Sequence, residues 1–132
     1  DRQAAEQMLA QLHIAPNQVL KQMSKGTKEK VQLILAMSRK AKLYLLDEPE
    51  NSLSAALQKK LADFITDSAR FYNCQFIIST HSPFLLAMKD ALVYNLETSP
   101  AGICRWYDVA SVRLWYDFFR EHEAEIKYDR KY

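Results

Sequence analysis

Apolar positions along the chain alternate between two periods. Ala5, Met8, Leu9 and Leu12 recur at helical spacing and predict an amphipathic helix over residues 2–12, broken at Ala15-Pro16-Asn17. Val31, Ile34, Leu35 and Met37 predict a second helix over 27–38. Its far end is apolar nearly all round, so burial on several sides is expected. A short apolar run at 42–46 predicts a buried strand, and Ser54 then stands where a third helix would be capped. That helix sets Leu57, Leu61, Phe64 and Ile65 on its buried face. Phe76-Ile77-Ile78 is unbroken by polar residues and predicts a central, parallel strand. Leu92-Val93-Tyr94 predicts a third strand, Ser99-Pro100-Ala101-Gly102 a turn, and Ile103 to Trp106 a hairpin return. The last helix starts near Val109 with Val112, Trp115, Tyr116 and Phe119 on one face, and the charged tail beyond His122 is expected to fray.

Strand, helix, strand with apolar strands implies an α/β fold, a parallel sheet with right-handed βαβ crossovers. At 132 residues the chain can bury a real core as one domain, with a C-terminal hairpin and helix over 97–132 appended to residues 1–96. Composition supports this, since 48% of the residues are apolar. The net charge of +2 is too small to imply nucleic acid or an anionic membrane. Basic residues do crowd one region: Lys21, Lys25, Lys28, Lys30, Arg39, Lys40 and Lys42, opposed only by Glu29. Such a run reads equally as a solvated helix face or as a positive rim for a phosphate group. Cys74 and Cys104 lie far apart and read as buried thiols, neither a disulfide frame nor a zinc site. No apolar run reaches the length of a membrane span. The chain starts at Asp1 without an initiator methionine, so a fragment, a processed product or an excised domain is expected.

The candidate chemistry begins where the first strand ends, at Leu46-Asp47-Glu48-Pro49-Glu50. Two adjacent carboxylates at the carboxyl end of an apolar strand suit nucleotide hydrolysis. One helps hold Mg²⁺ and its neighbour orients or deprotonates the attacking water. The plainer reading is a strand followed by an acidic turn. Upstream, Met23-Ser24-Lys25-Gly26-Thr27 leads into a helix, and downstream Ser79-Thr80-His81-Ser82-Pro83 follows a strand. By itself, a Ser-x-Gly turn before a helix is usually an N-cap, and a lone histidine after a strand is usually structural. His13 and His122 have no such context and read as surface residues. Trp106, Tyr107, Trp115, Tyr116, Phe118 and Phe119 could offer a base-stacking surface. Their helical spacing favours core packing or partner docking instead, so nucleic acid is not indicated.

Taken together, these three motifs resemble the ATP-binding cassette (ABC-type) P-loop ATPase superfamily. Their order matches signature loop, helix, Walker B strand, D-loop, helix, strand and switch histidine, across residues 1–96. Residues 1–46 look like the ATP-binding subunits of bacterial ABC transporters. Residues 47–126, with Asp47-Glu48-Pro49-Glu50-Asn51 and Thr80-His81-Ser82-Pro83, look like soluble, AAA-labelled ABC-like ATPases near the DNA-repair and overcoming-lysogenization-defect groups.

The resemblance implies ATP and Mg²⁺ as ligands and a head-to-tail dimer that sandwiches each ATP. Ser24, Lys25, Gly26 and Thr27 would close over the γ-phosphate of a partner's nucleotide. The usual loop is Leu-Ser-Gly-Gly-Gln, so Lys25 replaces its first glycine and Thr27 its glutamine. Asp47 would hold Mg²⁺ through water, Glu48 would be the catalytic carboxylate, and His81 would contact the γ-phosphate and the attacking water. Glu50 to Ser54, including Ser52, would be the D-loop that crosses to the partner, with Ser54 in place of the usual aspartate.

No G-x-x-x-x-G-K-[ST] occurs in the sequence, so nothing here cradles the α- and β-phosphates in cis. The resemblance covers the C-terminal half of such a domain, which is expected to be inactive alone and to need a second ATPase subunit or an N-terminal lobe. Two alternatives stand beside this reading. One attaches the ATPase to a membrane permease; the other makes the chain a non-catalytic dimerisation module. All three place it in the cytoplasm, the permease reading at the inner face of the plasma membrane.

Overall fold

The computed structural model describes residues 1–128. The chain forms two compact units, Asp1–Leu85 and Leu86–Tyr132.

The first unit opens with helix α1 (Arg2–Gln11). It ends ahead of Pro16, where His13 adopts φ 56°. Helix α2 (Lys25–Met37) begins two residues before the predicted start at Thr27, because Ser24 caps it. The Ser24 hydroxyl accepts from the Thr27 backbone N–H at 3.1 Å, meeting one of the orphan donors of the first turn. Ile34 is 2% exposed and Leu35 53%, so α2 buries one stripe rather than several sides.

Strand β1 (Leu43–Asp47), helix α3 (Ala55–Tyr72) and strand β2 (Gln75–Ser79) make one βαβ unit. The strands pair in parallel, Leu43 opposite Gln75 through Asp47 opposite Ser79. Helix α3 turns Leu61 and Ile65 inward as expected, while Leu57 and Phe64 are only half-buried. Ser54 occupies its N-cap position but its hydroxyl makes no capping bond. The helix ends at Asn73 in the left-handed conformation, which Asn tolerates better than most residues.

Both strands alternate in burial. Tyr44 and Phe76, paired across the ladder, stack with ring centroids 4.7 Å apart on the covered face. On the other face Leu45 is 69% and Ile77 54% exposed. The expectation of a buried first strand and a central second strand is therefore corrected. The described sheet has two strands, each an edge, and one of its faces carries no layer. Cys74 and Cys104 are free thiols, half-buried rather than buried.

A short helical turn, α4 (Pro83–Leu86), follows β2. In the second unit, β3 (Val93–Asn95) and β4 (Gly102–Cys104) pair antiparallel as the expected hairpin. Helix α5 (Ala110–Glu121) starts where expected, but only Val112 of its apolar face is buried. Trp115, Tyr116 and Phe119 are each at least half exposed, at 51, 55 and 52%. Of the tail after His122, residues 129–132 lie outside the described residues, and the part from 123 to 128 is ordered rather than frayed. It forms helix α6 (Glu123–Tyr128), with acids in its first turn and Lys127 in its last, as the helix dipole favours.

Candidate active site

The first unit gathers the expected site residues into two groups. The first lies at the carboxyl ends of β1 and β2, the edge at which open α/β sheets bind ligands. Asp47 closes β1 and is exposed. The ladder extends one step further through the Glu48 N–H, which donates to the Ser79 carbonyl at 2.8 Å. Glu48 then leaves the strand with φ 41°. That left-handed conformation is uncommon for a residue with a full side chain, and such strain concentrates at functional sites. Pro49 follows, and the turn is closed by the Asn51 N–H donating to the Glu48 carbonyl at 3.1 Å.

The Glu48 carboxylate receives the Asn51 side-chain amide on Oε2 at 2.7 Å. Its other oxygen, Oε1, lies 3.9 Å from His81 Nε2. That separation is too long for a hydrogen bond, and a water can span it. Both groups face solvent, with His81 and Glu48 side chains 74 and 43% exposed. A carboxylate and an imidazole thus flank a solvent-exposed gap, with Asp47 one residue away.

Glu50, named in the sequence only as part of a loop, turns out to organise this corner. It is 8% exposed. Its Oε1 accepts from the Thr80 hydroxyl, from the His81 N–H at 3.0 Å and from the Ser82 N–H at 3.1 Å. Its Oε2 is buried without a hydrogen-bond partner among the described residues. The Ser82 hydroxyl donates to Gln58 Oε1 at 2.7 Å, and Gln58 Nε2 donates to the Leu53 carbonyl at 3.0 Å. The only signal in the sequence was an acid one residue past a strand-end proline, which does not separate a buried anchor from a solvated turn.

The second group is the start of α2. The Ser24 and Thr27 hydroxyls lie 2.8 Å apart. Lys25 and Gly26 are already helical, so this stretch is a capped first turn rather than an extended loop. Gly26 faces Ser52: a methyl at Gly26 would stand 3.9 Å from Ser52 Cβ. The Ser52 hydroxyl donates to the Glu29 carboxylate. Ser52 thus joins the Glu48–Leu53 segment to α2. The basic residues Lys25 and Lys28 are exposed at this end.

Among the described residues, no group of three His, Cys, Asp or Glu side chains is gathered to hold a metal ion. Asp47 supplies a single carboxylate. Mg²⁺ keeps several waters and takes one or two carboxylates beside phosphate oxygens. The donor set therefore fits magnesium carried in by a nucleotide, not a resident metal.

Residues 10–87, more than half of the chain, match the family described as "AAA domain, putative AbiEii toxin, Type IV TA system". The chain belongs to this AAA family of ABC-type P-loop ATPases. Curated relatives agree with the ABC-type assignment. The chain is 34% identical over 77 residues to the thiamine import ATP-binding protein ThiQ of Photobacterium profundum, covering 56% of this chain and 32% of that protein. It is 31% identical over 97 residues to the ribosome protection protein VmlR of Bacillus subtilis, covering 74% of this chain and 17% of that protein. It is 31% identical over 90 residues to the lipoprotein-releasing system ATP-binding protein LolD of Shewanella frigidimarina, covering 62 and 38%. The ABC-type region described here thus spans well under half the length of these relatives. A structure from work on ATP-driven dimerization and DNA-stimulated activation of SMC ATPases superposes with a TM-score of 0.51 at 21% identity, over 83% of this chain and 69% of that one, and shares its fold. No described helix of the ABC-type chain is long and apolar enough to cross a membrane.

Proposed function

We propose that this chain is the signature, Walker B and switch-histidine part of an ATPase that closes as a head-to-tail dimer around Mg-ATP and reopens on hydrolysis. The observation that carries the reading is the approach of Glu48 Oε1 to His81 Nε2, 3.9 Å apart at the carboxyl edge of a parallel ladder. Glu48 takes the proton of a water placed in that gap. The water oxygen attacks the γ-phosphorus, and the bond to the β-phosphate oxygen breaks. His81 donates to the γ-phosphate as negative charge builds on its oxygens. Asn51 holds Glu48 Oε2, which leaves Oε1 facing the gap. Asp47 would hold Mg²⁺, which neutralises charge on the phosphates when bound.

The capped start of α2 serves a partner's nucleotide. Its free N–H groups and dipole favour an anion, and Lys25 and Lys28 add positive charge. The α- and β-phosphates are gripped by a G-x-x-x-x-G-K-[ST] segment outside these 132 residues, so the isolated chain does not turn over. The likeness to transporter ATP-binding proteins supports a second reading, in which a membrane permease is the partner. Either way the chain works in the cytoplasm.

Nucleotide binding by the purified chain, alone and mixed with a segment bearing the phosphate loop, tests the proposal. Binding of Mg-ATP only in the mixture, kept by Glu48→Gln while phosphate release is lost, is the expected result. Steady turnover by the chain alone would refute the division of labour. Binding in the mixture without any hydrolysis would leave the non-catalytic dimerisation module as the better account.

A further inference from the structure

We infer that Glu50 is the positioning residue that sets His81 against Glu48. The inference deepens the ATPase reading and rests on it for its catalytic consequence. Burying a carboxylate is costly unless it is well satisfied. Glu50 is 8% exposed, and among the described residues no cation pairs with it. What it holds instead is one turn of chain. A single oxygen collects the Thr80 hydroxyl and the successive N–H groups of His81 and Ser82. Three donors thus converge on one oxygen from the segment that carries the imidazole.

The geometry ties this anchor to the catalytic carboxylate. Glu48 and Glu50 flank Pro49, whose ring fixes its φ. The turn is closed by the Asn51 N–H on the Glu48 carbonyl and the Leu53 N–H on the Glu50 carbonyl, at 3.1 and 2.9 Å. Glu48 and the anchor of His81 therefore ride on one short, doubly bonded turn. Gln58 fastens the far side of the histidine segment to the same stretch through Ser82 and Leu53. The 3.9 Å approach of imidazole to carboxylate follows from this clamp, because the exposed His81 ring has no hydrogen-bond partner of its own among the described residues.

A role in packing alone predicts a different outcome from a role in positioning. Amide hydrogen exchange on the 132-residue chain reads the anchor directly. Glu50→Ala should speed exchange at the His81 amide by about tenfold or more, and less at the Ser82 amide, which also donates to the Thr80 hydroxyl at 3.0 Å, with α3 amides unchanged. Glu50→Gln, which keeps a carbonyl oxygen able to accept, should restore most of that protection. Unchanged His81 and Ser82 amides in Glu50→Ala, or a loss spread evenly through α3, would overturn the inference.

Turnover of Mg-ATP by the full natural chain gives the catalytic arm. Glu50→Ala should lower kcat with KM little altered. In the His81→Ala background it should cost far less, because the residue it positions is gone. Full additivity of the two would overturn the positioning role even if exchange changed. A wild-type protein that does not turn over Mg-ATP would sink the ATPase reading, and the exchange comparison would then decide Glu50 alone.

Discussion

Two turns in the first unit carry candidate chemistry, and they are held in opposite ways. The Ser24–Thr27 turn is closed by neighbours, with Ser24 bonding to Thr27 three residues on. The Thr80–Ser82 turn is closed from a distance, by a buried carboxylate about thirty residues earlier in the chain. A local cap rests on two exposed hydrogen bonds between Ser24 and Thr27, and their loss frays one helix end. A long-range clamp exists only when the βαβ unit is folded, so it links the integrity of the fold to the geometry of the site. The two turns thus differ in what can disturb them.

The largest break in that comparison comes from Glu48→Gln. Removing a proton acceptor set into a fixed corner should lower kcat for Mg-ATP hydrolysis by about 10²–10⁴-fold, with nucleotide binding retained. Stopped phosphate release beside an unchanged Mg-ATP binding isotherm is the expected pair of results.

Next is the clamp itself. Glu50→Ala leaves the His81 N–H and the Thr80 hydroxyl without their acceptor, and the Ser82 N–H with only the Thr80 hydroxyl oxygen at 3.0 Å. It should cost roughly 2–3 kcal/mol of stability in urea unfolding, since a buried donor left unsatisfied costs about 1–3 kcal/mol. Ser24→Ala should cost about 1 kcal/mol, confined to α2, and Ser24→Gly only a few tenths. A Ser24→Ala loss as large as that of Glu50→Ala would erase the contrast between local and distant anchoring.

Gly26→Ala sharpens the same contrast with the opposite sign. Gly26 sits in a helix at negative φ, and an added methyl would meet Ser52 Cβ at an ordinary 3.9 Å. The variant should be more stable by up to about 1 kcal/mol. It should also hydrolyse ATP less well, because a phosphate approaching the helix start would meet the methyl. A stabilised variant of undiminished activity would remove Gly26 from the site.

The smallest effect lies in the second unit. The Lys127 ammonium, hydrogen-bonded to Glu123 at 2.5 Å, lowers the Glu123 carboxyl below its usual value by that bond and then by charge. A carboxylate with a depressed pKa contributes stability above its unfolded pKa, and loses it as pH falls through the folded one. The α6 signals in an NMR titration should lose helicity on acidification through the carboxylate range and hold steady above it. The group is solvent-exposed, so global stability should barely move.

What the sequence revealed follows the same division between near and far. Ser24, the start of α5 near Val109 and the β3–β4 hairpin rest on local rules of capping, spacing and turn chemistry, and all are found. The order of strand-end acids and histidine was legible because the motifs themselves carry it. Glu50 was not, since nothing in Pro49-Glu50-Asn51 announces a partner at His81. Left-handed Glu48 was equally hidden, because glutamate gives no sign of positive φ. The unbroken runs Leu43–Leu46 and Phe76–Ile78 suggested cover on both faces, yet Leu45 and Ile77 stand open at 69 and 54%. An apolar run records what a strand can bury, not what lies against it. The exposed aromatics of α5 teach the same point.

The central claim is that Glu48 and His81 act as one unit across a 3.9 Å gap. The most direct test is kcat for Mg-ATP hydrolysis by Glu48→Gln, His81→Ala and the double variant of the full natural chain. Residues that share one water give grossly non-additive losses. The account predicts a double variant no slower than the worse single one. Losses that multiply, with each residue acting alone, would contradict it.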